Sequence, residues 1–79
     1  MTREEVLNQV QNIFRDIFDD QTLVIESSTN SDDIEDWDSM NHINLVSAIE
    51  KQFSIRFPLG ELQSLNDVGA LINLIMQKL

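Results

Sequence analysis

Ser39 and His42 are the two residues whose types and spacing could support nucleophilic chemistry. A serine becomes a nucleophile when a base lies within hydrogen-bond reach, and His42 is the one histidine of the sequence. Residues three apart share a face of a helix, so the two side chains would be neighbours. Helical side chains lean toward the N-terminus, however, and no nearby sequence indicates an oxyanion hole. We therefore predict that the chain is not an enzyme, and we interpret His42 as a solvated helix residue.

A run of carboxylates precedes the serine and could be mistaken for a calcium site. It comprises Asp32, Asp33, Glu35, Asp36 and Asp38. An EF-hand loop needs oxygen ligands at alternate positions and a glycine in the middle. Here Ile34 and Trp37 interrupt the run, and no glycine lies between Met1 and Phe57. We interpret the run as a solvated face and predict no metal site.

The composition bounds the class of protein. The 79 residues suffice for a single domain, residues 1–79, with a small core. The absence of cysteine excludes disulfides and thiolate metal sites. The net charge of −9 disfavours nucleic acid and favours partners with basic docking patches. No apolar run of about 18 residues predicts a membrane span, and the N-terminus lacks the apolar centre of a signal peptide, so we predict a cytoplasmic protein.

The first helix is predicted over about residues 3–18. Thr2 followed three residues later by Glu5 is typical of a capping box. Apolar residues then recur with helical spacing at Val6, Leu7, Val10, Ile13, Phe14, Ile17 and Phe18. The carboxylates of Asp19 and Asp20 are unfavourable at a helix C-terminus, so the chain should leave the helix there.

The second helix is predicted over about residues 39–53, with Asp38 as its N-cap and Ser39 in its first turn. Its apolar stripe is Met40, Ile43, Val46, Ile49 and Phe53. A serine in this place is often only part of a cap. It is also exposed and faces the positive end of the helix dipole, so a phosphodiester built on Ser39 would be well tolerated.

The remaining segments are a long loop, a short helix and a last helix. Residues 19–37 form the loop, which should be anchored by Leu23, Ile25 and Ile34, with Trp37 packing over the end of the bundle. Pro58 ends helical structure before it, and residues 59–64 are long enough only for a short helix. Asn66 or Asp67 should cap the last helix. Its apolar stripe is Val68, Leu71, Ile72, Ile75 and Leu79.

Asp38-Ser39-Met40 resembles the Asp-Ser-Leu attachment motif of acyl carrier proteins. The likeness continues through Ile43-Asn44-Leu45-Val46, Ala48-Ile49-Glu50, Gln52-Phe53, Phe57-Pro58, Leu65-Asn66-Asp67-Val68 and Leu71-Ile72. It needs no insertion or deletion from Asp36 to Ile75, and a match over half the chain is far more specific than three residues. The fold implied is an all-α small bundle of three longer helices plus one short helix, with a long loop between the first two.

The resemblance implies that a phosphopantetheinyl transferase moves 4'-phosphopantetheine from coenzyme A to the Ser39 hydroxyl. The thiol of that cofactor would carry an acyl chain as a thioester, so the protein itself needs no catalytic residue. The further partners implied are acyl-loading and acyl-transferring or condensing enzymes with basic patches. Nothing in the helix patterns demands a dimer, so we predict a monomer. Two alternatives stay open: an aminoacyl or peptidyl carrier, and an unmodified acidic helical adaptor.

The resemblance also implies roles for other residues. Partner recognition would use Asp36, Asp38, Met40 and Glu50. The candidates to line an acyl cavity are Val46, Ala48, Ile49, Phe57, Leu62, Leu65 and Leu71, although each could equally be plain core. Carriers of fatty acid synthases commonly have acids where Asn41, Asn44 and Lys51 stand here. We therefore predict a specialised lipid, polyketide or related pathway.

Overall fold

The computed structural model describes residues 1–58 and 67–79, and over these residues the chain is a bundle of helices. Helix α1 runs over Arg3–Ile17, α2 over Ser39–Phe53 and α3 over Val68–Lys78. α1 packs against both other helices. The all-α prediction is confirmed, as are the bounds of the first two helices to within one residue. The short helix predicted over residues 59–64 lies outside the described residues.

The start of α1 is the predicted capping box. Thr2 Oγ1 accepts a hydrogen bond from the Glu5 backbone N–H over 3.2 Å, and Thr2 N donates to Glu5 Oε1 over 3.0 Å. The backbone N–H of Thr2, and next its hydroxyl, hold the pKa of Glu5 below its ordinary value. At the other end Phe18 is the C-cap and Asp19 has a left-handed φ of 50°, so the chain turns away where the sequence predicts.

The long loop is fastened to α1 by polar side chains of that helix. Arg15 Nε donates to the carbonyl oxygen of Leu23 over 2.7 Å. The side-chain oxygen of Gln11 accepts from the backbone N–H of Ile25 over 3.0 Å. Ile25 and Ile34 are buried and Leu23 packs against the core, as predicted. The loop is therefore an ordered part of the bundle, because both its apolar side chains and its backbone groups have partners.

The same loop also covers the N-terminus of α3. The carbonyl oxygen of Thr29 accepts from Val68 N over 2.8 Å, and that of Ser27 accepts from Gly69 N over 2.9 Å. The first N–H groups of a helix have no partner within the helix, so these loop carbonyls complete α3. An isolated antiparallel bridge between Asn30 and Asp67 continues the contact.

Asp67 is the N-cap of α3, and its Oδ1 accepts from Ala70 N over 2.6 Å. Gly69 is needed beside it for a steric reason. A Cβ at this position would lie 2.8 Å from the carbonyl oxygen of Ser27, closer than carbon and oxygen can approach without a shift of backbone. The glycine thus allows the loop to lie directly on the helix.

The core is formed by one face of each helix, and it corrects two predictions. Leu79, predicted to belong to the stripe of the last helix, is 54% exposed because it is the C-cap at the chain end. Met40 and Ile43, predicted to belong to the stripe of α2, are 73% and 62% exposed. α2 instead buries the face that carries Leu45, Val46, Ile49 and Phe53. At about 100° per residue, Met40 lies roughly opposite the centre of that face.

The described helices have 15, 15 and 11 residues, and no helix among residues 1–58 and 67–79 has the length and hydrophobicity of a membrane span.

Candidate functional site

Ser39 is the first residue of α2 and is exposed to solvent. Asp38 is the N-cap, as predicted, with an extended backbone and a side-chain oxygen that accepts from Asn41 N over 2.8 Å. The serine hydroxyl therefore stands at the positive end of a 15-residue helix. The first turn of α2 contains no carboxylate.

The segment that leads to Ser39 is held by hydrogen bonds to its backbone carbonyl oxygens. Trp37 N donates to the carbonyl oxygen of Ile34 over 3.1 Å. The carbonyl oxygen of Asp36 accepts twice, from Asp38 N over 2.9 Å and from Asn41 Nδ2 over 2.8 Å. The second of these bonds crosses from the helix back to the loop, so the turn that presents Ser39 has little freedom to rearrange.

A tryptophan–histidine pair joins the same two segments at greater depth. The side chain of Trp37 is buried and meets Phe14 of α1 edge to face, with ring centroids 5.2 Å apart, as predicted for a residue packed over the end of the bundle. Its Nε1–H donates to His42 Nδ1 over 3.0 Å. An indole N–H can only donate, so this bond requires a lone pair on Nδ1.

The prediction that His42 is simply solvated is therefore wrong. The imidazole is half-buried and lies nearly parallel to the indole, at an interplanar angle of 21°. The physical reason is that side chains in an α-helix point back toward its N-terminus. The imidazole of His42 is therefore directed to the turn that contains Trp37. The sequence signal for this pair was the spacing: a tryptophan lies two residues before the serine, and a histidine lies three residues after it.

The acidic run keeps its charge in solvent. Asp32, Asp33, Glu35, Asp36 and Asp38 are all exposed. Within residues 1–58 and 67–79, no three His, Cys, Asp or Glu side chains converge as metal ligands would. The exposed hydroxyl, the helix dipole and the acid-free first turn fit a phosphodiester.

The predicted recognition residues differ in their surroundings. Asp36, Asp38 and Met40 are exposed beside Ser39. Glu50 lies at the other end of α2, half-buried, and its Oε2 accepts from Phe57 N over 2.9 Å. The carboxylate of Glu50 thus holds the chain that follows α2. The recognition role of all four residues stays a prediction.

The predicted acyl-cavity residues are mostly core. Val46, Ile49, Phe57 and Leu71 are buried in one cluster, and Ala48 is half-buried. Leu62 and Leu65 lie outside the described residues. A role of this set in holding cargo stays a prediction.

Comparison with known proteins agrees with the geometry around Ser39. Residues 8–75 match the family model described as phosphopantetheine attachment site. The solution NMR structure of the holo acyl carrier protein from Geobacter metallireducens superposes with a TM-score of 0.86 at 42% identity, covering 92% of this chain and 84% of that one. No curated protein matches the sequence. Acyl carrier proteins are carriers and not enzymes, and their prosthetic group is a covalent 4'-phosphopantetheine. The chain belongs to this family of phosphopantetheine-attachment proteins and has the all-α fold of an acyl carrier protein.

Proposed function

We propose that the chain carries acyl intermediates on a 4'-phosphopantetheine joined to Ser39 Oγ, in a specialised lipid, polyketide or related biosynthetic pathway. The observation that carries this proposal is the exposed serine at the first position of α2, inside the Asp38-Ser39-Met40 motif. The family match over residues 8–75 contains this motif.

The residues of the chain would present the attachment point. The prosthetic group supplies a terminal thiol on which cargo is held as a thioester. Ser39 Oγ would provide the oxygen of the phosphodiester. The bonds that Asp38 and Asn41 make across the turn keep this oxygen at the helix start and in solvent. The Trp37 indole, buried against α1, prevents the turn from swinging away from the bundle.

The specialised pathway is inferred from the outward face of α2. Asn44 and Lys51 are exposed there, and the one carboxylate of the helix, Glu50, is bonded to Phe57 N. The acidity of the chain is concentrated in the loop before Ser39 instead. Complementary charge determines which partners associate quickly, so this face should suit enzymes other than those of general fatty acid synthesis.

The attachment is tested by mass measurement. The purified apo chain is incubated with coenzyme A and a broad-range phosphopantetheinyl transferase, and its intact mass should rise by one phosphopantetheine. Ser39→Ala should show no gain. Ser47→Ala is the matched control, because Ser47 is exposed on the same helix, and it should gain one group. A wild-type chain that gains nothing with several transferases would instead be an unmodified adaptor.

The class of cargo is tested with the holo chain. Incubation in an extract of the host, followed by mass measurement of the thioester, should identify an acyl chain. An amino acid or peptide on the thiol would instead identify an aminoacyl or peptidyl carrier.

A further inference from the structure

Hydrogen bonds cross the attachment turn and join residues before Ser39 to residues after it. One of them runs from Asn41 Nδ2 to the carbonyl oxygen of Asp36 over 2.8 Å and is exposed. Another runs from the indole Nε1–H of Trp37 to His42 Nδ1 over 3.0 Å and is partly buried. Ser39 lies between the partners of both bonds, so the position of its hydroxyl depends on whether the turn stays closed.

The two crossing bonds differ in what lies behind them. Asp36 is exposed and belongs to the loop. Trp37 is buried, and its ring meets the fully buried ring of Phe14 in α1, edge to face. Aromatic pairs of this geometry restrain both rings in a close-packed core. The Trp37–His42 bond therefore ties the start of α2 to the core of the bundle.

The bond sets a chemical requirement on the imidazole of His42. An indole N–H only donates, so Nδ1 keeps its lone pair and the proton of the neutral ring lies on Nε2. The two rings are also nearly parallel, with an interplanar angle of 21° and centroids 6.1 Å apart. The property of His42 that the bond uses is thus an acceptor atom two bonds beyond Cβ.

The attachment reaction depends on where Ser39 Oγ is held. In this step Oγ forms a bond to the phosphorus of the phosphopantetheine group and loses its proton. The pyrophosphate bond of coenzyme A breaks, and the nucleotide is the leaving group. A reacting group misplaced by about 1 Å can slow a reaction about a hundredfold. A turn that moves relative to the bundle would place Oγ correctly for only part of the time.

We propose that His42 is a positioning residue of the attachment reaction. By accepting from Trp37 it holds the turn of Ser39 in the arrangement in which Oγ reaches the phosphorus. It acts through Trp37 and touches neither coenzyme A nor the reacting atoms. This inference rests on the proposed function, and it assigns a role in the reaction to a buried side-chain pair.

The test measures kcat and KM of His42 variants with a broad-range phosphopantetheinyl transferase and saturating coenzyme A. His42→Leu keeps a side chain of similar size and removes the acceptor. We expect kcat to fall about tenfold and KM for the carrier to change less than about twofold, because the exposed surface stays the same. His42→Asn places Oδ1 two bonds beyond Cβ, where it can accept from the indole, and should restore kcat to near the wild-type value.

The donor side of the bond provides a second arm. Trp37→Phe removes the N–H and keeps a ring against Phe14, so it should lower kcat as much as His42→Leu. The double variant should be no slower than either single variant, because the same bond is lost in all three.

Gln52→Leu is the matched control for a merely structural effect. Gln52 is exposed on the same helix, and its Nε2 donates to Gln9 Oε1 of α1 over 3.0 Å. Its loss also removes a hydrogen bond between α2 and α1. The site is about 20 Å along the helix from Ser39, so Gln52→Leu should leave kcat unchanged.

NMR reports the state of the bond directly. Trp37 is the single tryptophan of the sequence, so its indole N–H gives one resonance. Exchange of this proton with solvent should be slow in wild type and in His42→Asn, and faster in His42→Leu. The backbone N–H of Val10, which is fully buried in α1, should exchange equally slowly in all three proteins if the fold is intact.

The outcomes separate the two proposals. A wild-type chain that is never modified contradicts the proposed function itself. A His42→Leu chain modified as fast as wild type overturns the positioning inference alone. The inference is equally overturned if His42→Asn is as slow as His42→Leu, or if Gln52→Leu is as slow as either. A Trp37→Phe chain as fast as wild type would show that His42 does not act through Trp37, and this also overturns it.

Discussion

The indole Nε1–H of Trp37 donates to Nδ1 of His42 over 3.0 Å, and these two residues lie on opposite sides of Ser39 in sequence. The bond links the segment before the candidate attachment point to the helix that follows it. The donor, Trp37, is buried against Phe14, and the acceptor, His42, is half-buried on α2. The position of the serine therefore depends on packing against α1 as well as on the helix cap.

The contribution of the Trp37–His42 hydrogen bond to stability can be measured with a double-mutant cycle. Trp37→Phe keeps an aromatic ring near Phe14 and removes the N–H donor, and His42→Ala removes the acceptor. We expect a coupling free energy of about 1 kcal/mol in the free energy of unfolding, because a buried hydrogen bond contributes about that much. Urea unfolding followed by circular dichroism provides the four values. Additive single and double mutants would mean that the bond contributes nothing to stability.

Gly69→Ala should destabilise the fold. The added Cβ would lie 2.8 Å from the carbonyl oxygen of Ser27, so either the loop or the start of α3 must shift. Strain of this kind costs about 1–3 kcal/mol, measurable as a lower midpoint of urea unfolding. Gln77→Ala is the control, because Gln77 is exposed in the same helix and its loss should change stability by less than about 0.5 kcal/mol. A Gly69→Ala variant as stable as wild type would show that the loop does not lie so close to α3.

Ser54→Gly should stabilise the chain. Ser54 is the C-cap of α2 and has a left-handed backbone, with φ 56° and ψ 45°. Glycine adopts this conformation without the steric cost of a Cβ, although it also gains entropy in the unfolded chain. The expected net gain is about 0.5 kcal/mol in thermal or urea unfolding. Ser47→Gly, within the same helix, should lose roughly 0.5 kcal/mol, and a loss in both variants would contradict the left-handed cap.

The capping box of α1 should make the stability of the chain sensitive to acid. Because Thr2 holds the pKa of Glu5 below its ordinary value of 4.5, the folded state binds fewer protons than the unfolded state in this range. The contribution is complete above pH 4.5 and is lost as the pH falls through the lower folded pKa. NMR titration of the Glu5 carboxyl should show the lowered pKa. Thr2→Ala removes the hydroxyl and keeps the backbone N–H, so it should raise the pKa of Glu5 only part of the way toward 4.5. An identical titration curve in both proteins would exclude a contribution of the Thr2 hydroxyl to the lowered pKa.

Asp20 should behave in the same way. The hydroxyl of Thr22, and next its backbone N–H, lower the pKa of Asp20 below its ordinary value of 3.8. In the same NMR experiment Thr22→Ala should raise the pKa of Asp20 and leave that of Glu5 unchanged. A shift of both groups in either variant would indicate a general loss of structure instead.

Several features of this protein were predictable because they depend on residues close together in the chain. A cap and its target are three residues apart, and the apolar period of a helix repeats every three or four residues. Thr2 with Glu5, Asp38 before α2 and the burial of Val6, Val10 and Phe14 all belong to this class. The placement of Ser39 at the start of α2 does as well.

The remaining features could not be predicted from residues that lie close together in the chain. Apolar residues of α2 could be divided into a buried and an exposed set in more than one way, and only packing against α1 placed Leu45 inside and Met40 outside. The same packing brought Trp37 beneath the attachment turn.

The sequence by itself thus determined the three described helices, their N-caps and the serine at the start of α2. Only the tertiary structure decided which face of α2 remains in solvent, what holds the turn around Ser39 and how loop carbonyls complete α3. The reason is that these contacts join segments far apart in the chain, whose meeting depends on how the whole apolar surface is buried at once.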